Sequence, residues 1–161
     1  MSSRSTSLRI VGWREWLALP ELGVREIKAK IDSGARSSAL HVVWQTRTTH
    51  AGMPWVRFAV EPDTASSAVI ESENPIIDER DVTDSGGHTT RRPFIRTRLA
   101  LAGSHWEVEI NLADRRRMLF PMLLGRTAMS GRLLVDPALS FTLPRPLTSV
   151  ALATSDPDRH P

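Results

Sequence analysis

This chain of 161 residues contains no cysteine and no tyrosine. Without cysteine, disulfides and thiolate metal sites are excluded, although the cellular compartment is left open. No apolar run approaches the ~18 residues of a membrane-spanning helix, and the polar start at 1–7 has no apolar stretch behind it of the kind a secretory leader carries. A soluble, cytoplasmic protein is expected. Lysine is nearly absent, with Lys28 and Lys30 alone, so arginine carries the formal charge of +3. Arginine is the better partner for planar carboxylates and phosphates. Two signatures are also missing: Gly-x-x-x-x-Gly-Lys-Ser/Thr, which would cradle ATP phosphates, and His-Glu-x-x-His, which would seat zinc. Among the five histidines, His41, His50, His88, His105 and His160, no pair stands at i,i+4 spacing. Strands can still gather distant ligands, so a zinc site built from Asp32, His41 and His88 stays open as an alternative to no cofactor at all.

With 40% hydrophobic residues, the chain can bury one core and is too short for two ordinary domains. One domain over 8–146 is expected, with disordered ends at 1–7 and 147–161 where composition turns to Pro, Ser, Thr and Asp. Strand signals dominate, at 17–19, 24–32, 55–60, 95–101, 106–112, 118–124 and 132–135. In the run from His105, Trp106, Val108, Ile110 and Leu112 fall on one face while His105, Glu107, Glu109 and Asn111 fall on the other, the period of a half-buried antiparallel strand. Ala102-Gly103 reads as a tight hairpin. Helical periodicity is scarce, confined to a short turn at 126–130 stopped by Gly131. Segments 62–74 and 84–92 have loop composition. The chain reads as all-β with one small helix.

Ile27, Ala29 and Ile31 alternate with Lys28 and Lys30, so this strand buries one face until Asp32 leaves it. Asp32 is therefore exposed at a strand end. Ser33 offers a hydroxyl to a nearby backbone group, Gly34 permits the sharp turn, and Ala35 is small enough to lie under a bound peptide. Farther along, Met122-Leu123-Leu124-Gly125-Arg126 is an apolar strand running into a glycine. Amide hydrolysis by carboxylates needs two of them sharing one proton, because two such charges about 3 Å apart cannot both ionise. No second copy of the motif supplies the partner: Asp84-Ser85-Gly86 has the letters but no apolar strand leading into it. A twofold homodimer, in which Asp32 meets its own copy, meets the need with one short chain.

These segments resemble retropepsin-like proteases and, more closely, a bacterial family named for ATP-dependent zinc proteases. The similarity runs from about Val11 to Leu143. It is most specific in Lys30-Ile31-Asp32-Ser33-Gly34-Ala35-Arg36-Ser37-Ser38-Ala39-Leu40-His41, in Arg92-Pro93-Phe94-Ile95-Arg96-Thr97, and in Phe120-Pro121-Met122-Leu123-Leu124-Gly125-Arg126. The resemblance implies a retropepsin-like closed β-barrel in which the two motifs pack together. Asp32, Ser33 and Gly34 would form the catalytic turn, with Leu124 and Gly125 supporting it from behind. It also implies association with an enzyme that adds glutamates to a ribosomal protein. Viral retropepsins carry acidic residues after Asp-Thr-Gly-Ala, whereas this chain has Arg36, so Arg126 loses the acidic partner it would have there.

The expected activity is an aspartic-type peptidase acting on acidic, glutamate-tailed peptide or protein. Arg36 and Arg126 are candidates for binding carboxylates or for dimer electrostatics. A cover over the site is expected from 81–92, with Gly86, Gly87 and His88 at its tip and Arg91 and Arg92 facing substrate beside Ala35. Two alternatives compete: a non-catalytic adaptor that holds acidic peptide, and a metal-dependent peptidase. Nucleic-acid binding would rest on arginine content alone, including Arg115-Arg116-Arg117, and no aromatic-bearing sheet face is identifiable to support it. Trp13, Trp16, Trp44, Trp55 and Trp106 read as packing residues.

Overall fold

The computed structural model describes residues 8–63, 68–114 and 120–146. The tails expected at 1–7 and 147–161, and the arginine triplet at 115–117, lie outside the described residues. The described chain is β throughout, apart from a 3-10 turn at Pro20–Leu22 and one four-residue helix. The strands are β1 (Arg9–Val11), β2 (Arg14–Leu19), β3 (Val24–Ile31), β4 (Ser38–His50), β5 (Met53–Val60), β6 (Ile70–Pro75), β7 (Asp78–Thr83), β8 (Thr89–Leu101), β9 (Ser104–Asp114), β10 (Met122–Leu124) and β11 (Leu133–Val135). Helix α1 covers Arg126–Met129, and Gly131 follows it. No helix among the described residues is long and apolar enough to cross a membrane.

Period-two patterning explains most of the sheet. In β3, Ile27, Ala29 and Ile31 are buried, and in β9, Trp106, Val108, Ile110 and Leu112 are buried. These side chains join Leu17, Leu40, Phe58, Leu99 and Leu101 in a single core. Each such fully buried aliphatic or aromatic side chain contributes about 1.5–3 kcal/mol through lost contact with water. Of the five tryptophans, Trp106 is buried and donates its indole N–H to the Ala128 carbonyl at 3.0 Å.

The main sheet has the order β10-β3-β2-β8-β9-β4-β5-β6, and β4 also pairs with β10. The hydrogen-bonded path from β10 through β9 and β4 thus returns to its first strand. It is thinnest between β2 and β8, which share the single register pair Ala18↔Ala100. Strands β4 and β5 continue beyond this circuit as a long hairpin with β6 on its edge. Strands β1 and β11 form a separate parallel pair.

Several elements differ from the sequence reading. Residues 70–74 of the expected loop at 62–74 belong to β6, and Thr89 to Arg92, within the expected loop at 84–92, begin the 13-residue β8. Residues 89–92 are largely exposed, and β6 is half-buried through Ser72, Glu73 and Asn74 with Ile70 as its one large apolar side chain, so no apolar alternation marks either segment. Strand β10 covers only the end of the expected 118–124 run, whose residues 118 and 119 are outside the described set. Asn111 sits on the polar side of β9 yet is buried, 1% exposed.

The segment after β11 returns across the start of β2. Glu15 is fully buried, and its carboxylate accepts the backbone N–H groups of Gly12 (2.7 Å), Thr142 (3.1 Å) and Leu143 (3.2 Å). Phe141 stacks on Trp16 with ring centroids 5.8 Å apart. A buried carboxylate is tolerated because backbone donors replace the water it has lost.

Candidate active site

Asp32 stands one residue past β3, at the point where β10 lies between β3 and β4. The pairing is parallel to β3, with Leu124↔Ile31, and antiparallel to β4, with Met122↔Leu40. The Asp32 amide donates to the Leu124 carbonyl at 2.9 Å, so the aspartate leaves the sheet while still tied to its central strand. Its carboxylate accepts the Gly34 amide at 2.9 Å, and its carbonyl accepts the Ala35 amide at 3.2 Å. These bonds close a tight turn that leaves Asp32 half-buried and Ser33 and Gly34 exposed.

Gly125 supports this turn by having no side chain. A Cβ there would fall 2.4 Å from the Ser37 carbonyl carbon and oxygen and 2.8 Å from the Ser38 nitrogen. The two backbone segments cross at a distance only glycine allows. Gly125 also donates its amide to the buried Ser38 hydroxyl at 3.0 Å. Beyond it, the amides of Arg126 and Thr127 donate to the carbonyls of Ala35 (2.7 Å) and Arg36 (3.1 Å). The Arg126 guanidinium donates to the Ser33 carbonyl at 3.1 Å. The two sequence motifs therefore meet at one place, and Arg126 holds the turn's backbone instead of an acidic side chain.

A cleft of about 740 Å³ opens beside the turn. Gly34, Ala35, Arg36 and Ser37 form one wall, Arg80 to Thr83 of β7 form another, and Phe94, Glu107, Val108, Glu109, Thr127 and Ala128 complete it. Arg80 is already occupied: it donates to Asp78 at 2.6 Å and to Glu109 at 3.4 Å, and lies over the Phe94 ring. The Arg36 side chain is exposed and has no hydrogen-bond or ion-pair partner among the described residues.

The segment expected as a cover is the β7–β8 hairpin. Its first arm lines the cleft from Arg80 to Thr83, while Gly86, Gly87 and His88 at the tip do not. Asp84 organises the tip: its carboxylate accepts the amides of Gly86 (2.9 Å) and His88 (3.0 Å), and Gly87 takes the left-handed conformation at φ 82°. Those backbone donors, together with the nearby His88 and Arg92, hold the Asp84 carboxyl below its ordinary pKa. Asp84-Ser85-Gly86 is thus a turn-forming sequence. Arg91 lies 3.6 Å from Asp81, a cleft residue, and both side chains are largely exposed. Arg92 turns inward to Asn111 at 3.0 Å.

The side chains proposed for zinc are not gathered. His41 is buried with its ring nitrogen 3.2 Å from the Pro121 carbonyl, and His88 sits at the hairpin tip beside Asp84. Among the described residues no group of three His, Asp or Glu side chains could hold a metal ion. Sequence reasoning did not single out Ser38 and Asn111, which are polar, buried and bonded to the turn's support. Asn111 was legible only as a polar residue in a strand, with nothing to mark its burial.

Comparison with known proteins agrees with this geometry. A Legionella pneumophila protein of unknown function, solved as a crystal structure, superposes with a TM-score of 0.71 at 31% identity, covering 84% of this chain and 98% of that one. Probable alpha-L-glutamate ligases of Shewanella pealeana and Desulfotalea psychrophila are 42% and 41% identical over 83% and 88% of this chain. The chain spans only 30% and 31% of the length of those two relatives. A family model described as retropepsin-like aspartic endopeptidase RimB matches residues 10–146, and the chain belongs to this RimB-like family.

Proposed function

We propose that this chain is an aspartic-type peptidase that works as a homodimer on acidic, glutamate-bearing peptide or protein. The observation that carries the reading is the placement of Asp32, whose backbone is fixed to Leu124 and whose carboxylate accepts the Gly34 amide, in a turn whose following residues, Gly34 to Ser37, line an open cleft. In this reading the strand circuit is a closed barrel of retropepsin type, and the twofold axis brings two Asp32 side chains together. One carboxylate is ionised and takes a proton from water as the water oxygen bonds to the amide carbon. The protonated partner donates to the carbonyl oxygen. The C–N bond then breaks, the proton passes to the departing nitrogen, and a carboxylic acid and an amine are released.

Arg36 supports an acidic substrate, because it is the cleft cation left without a partner among the described residues while Arg80 is neutralised by Asp78 and Glu109. The relatives point the same way: their names describe a glutamate ligase, so a module of this kind accompanies glutamate chemistry. Association with a ribosomal-protein glutamate ligase, and action in the cytoplasm, follow from that reading.

The test is cleavage of poly-glutamate peptides at mildly acidic pH by the full chain, with Asp32→Asn as control and a chelator in parallel. Loss of cleavage with Asp32→Asn and retention with chelator is the expected result. Loss with chelator would move the reaction to a metal, and cleavage by neither protein would leave an acidic-peptide adaptor. A strictly monomeric mass for the active species would remove the second carboxylate and the proposal with it.

A further inference from the structure

We infer that Arg92 and Asn111 form a positioning relay that sets the geometry of the Asp32 turn from beneath, an inference that rests on the peptidase reading for its catalytic meaning. Arg92 stands midway along the β7–β8 hairpin, paired in register with Arg80 of the cleft wall. It donates through Nε to the Thr90 hydroxyl at 2.8 Å and through Nη1 to the Asn111 side-chain carbonyl at 3.0 Å. Asn111 donates in turn to the Ser38 carbonyl at 2.9 Å. The Ser38 hydroxyl accepts the Gly125 amide, and the Leu124 carbonyl next to it accepts the Asp32 amide.

Hydrogen-bond chemistry gives this chain of contacts a direction. Arginine can only donate, so the oxygen of Asn111 must face Arg92 and its NH₂ must face Ser38. Asn111 and Ser38 are 1% and 0% exposed. Buried polar groups are costly unless every member is paired, and a fully paired set rigidifies its surroundings and specifies one geometry. Asn111 also belongs to the face of β9 that carries Glu107 and Glu109 into the cleft, four and two residues away. One end of the relay is therefore the hairpin wall and the other is the support of the catalytic turn. Arg92 acts through Asn111 and Ser38, as a positioning residue.

The experiment follows backbone amide resonances in the full chain for Arg92→Met, Arg92→Lys and Asn111→Asp, with Arg25→Met as an exposed control. Arg92→Met is expected to move the Ser38, Gly125 and Asp32 resonances, Arg92→Lys to return them part of the way, and Arg25→Met to leave them in place. Asn111→Asp keeps a partner for Arg92 but loses the donor to Ser38, so it shifts the same three amides even if Arg92→Met folds poorly. In poly-glutamate cleavage, Arg92→Met is expected to lower kcat about tenfold or more while KM stays within about twofold, as small misplacements of reacting groups do. Unmoved Gly125 and Asp32 resonances in both Arg92→Met and Asn111→Asp would overturn the relay. A raised KM at unchanged kcat would also overturn it, by making Arg92 a substrate contact. If the parent chain cleaves nothing, the peptidase reading fails by itself, and the resonances still decide the relay.

Discussion

The Leu124 carbonyl accepts the Asp32 amide at 2.9 Å, and the residue after Leu124 is a glycine pressed against the backbone of Ser37 and Ser38. The support of the turn thus has no slack, because the atoms a side chain at 125 would strike are main-chain atoms held in β4 and its approach. Gly125→Ala is expected to destabilise the fold by about 1–3 kcal/mol or more, the range for overpacking a rigid site. Denaturant unfolding would measure this, and a loss below about 0.5 kcal/mol, the level of an ordinary surface change, would contradict the crossing described here.

Arg126 reaches back to the Ser33 carbonyl at 3.1 Å from an exposed position. Its removal frees a carbonyl that water can satisfy, so Arg126→Met should cost stability only about 0.5–1.5 kcal/mol, the net worth of such a bond. The larger effect is expected locally, as faster amide exchange at Ala35, whose carbonyl also receives the Arg126 amide. Equal exchange in both proteins would show that the guanidinium does not restrain the turn.

The site was legible because its two halves are written as local patterns. Ile27, Ala29 and Ile31 announce a strand whose end is Asp32, and the Leu-Leu-Gly run announces the strand that meets it. The rest depends on contacts between residues distant in sequence. Nothing near Asn111 indicates that Arg92 and Ser38 will enclose it, and nothing near Arg92 indicates that it turns inward while Arg91 remains exposed. The hairpin arms were missed for a related reason. Strand β7 is largely exposed and β6 half-buried mostly through polar residues, so neighbouring strands, not an apolar stripe, hold them extended.

Glu15 fastens the segment after β11 to β2 through three backbone donors, and the rings of Trp16 and Phe141 close over the junction. Glu15→Ala leaves the Gly12, Thr142 and Leu143 amides without this acceptor; Gly12 is buried, and an unpaired buried group costs about 1–3 kcal/mol, whereas Thr142 is exposed and Leu143 half-buried, so water can replace the acceptor there. The expected outcome is a loss of about 1–3 kcal/mol, with exchange protection disappearing first at Thr142 and Leu143. Glu15→Gln should fall between the parent and Glu15→Ala, since one oxygen remains to accept while the new NH₂ opposes a backbone donor. Protection at Thr142 and Leu143 unchanged in Glu15→Ala would show that the aromatic contact alone holds the segment.

Asp84 governs the order of the hairpin tip through its ionised form. Its folded pKa is depressed below the ordinary value of 3.8, first by the His88 amide and then by the Gly86 amide, with His88 and Arg92 adding favourable charge. A depressed carboxyl stabilises the folded tip above its unfolded pKa and loses that contribution as pH falls through the lower folded value. Amide exchange protection at Gly86 and His88 should therefore not change through Asp84 titration between neutral pH and about pH 5, and should fall on further acidification. Asp84→Asn keeps an acceptor oxygen but no charge, so this acid-dependent step should disappear while some protection remains. If the variant shows the same acid transition as the parent, another group controls the tip. Asp78, also depressed chiefly by its bond to Arg80, is then the next carboxylate to replace.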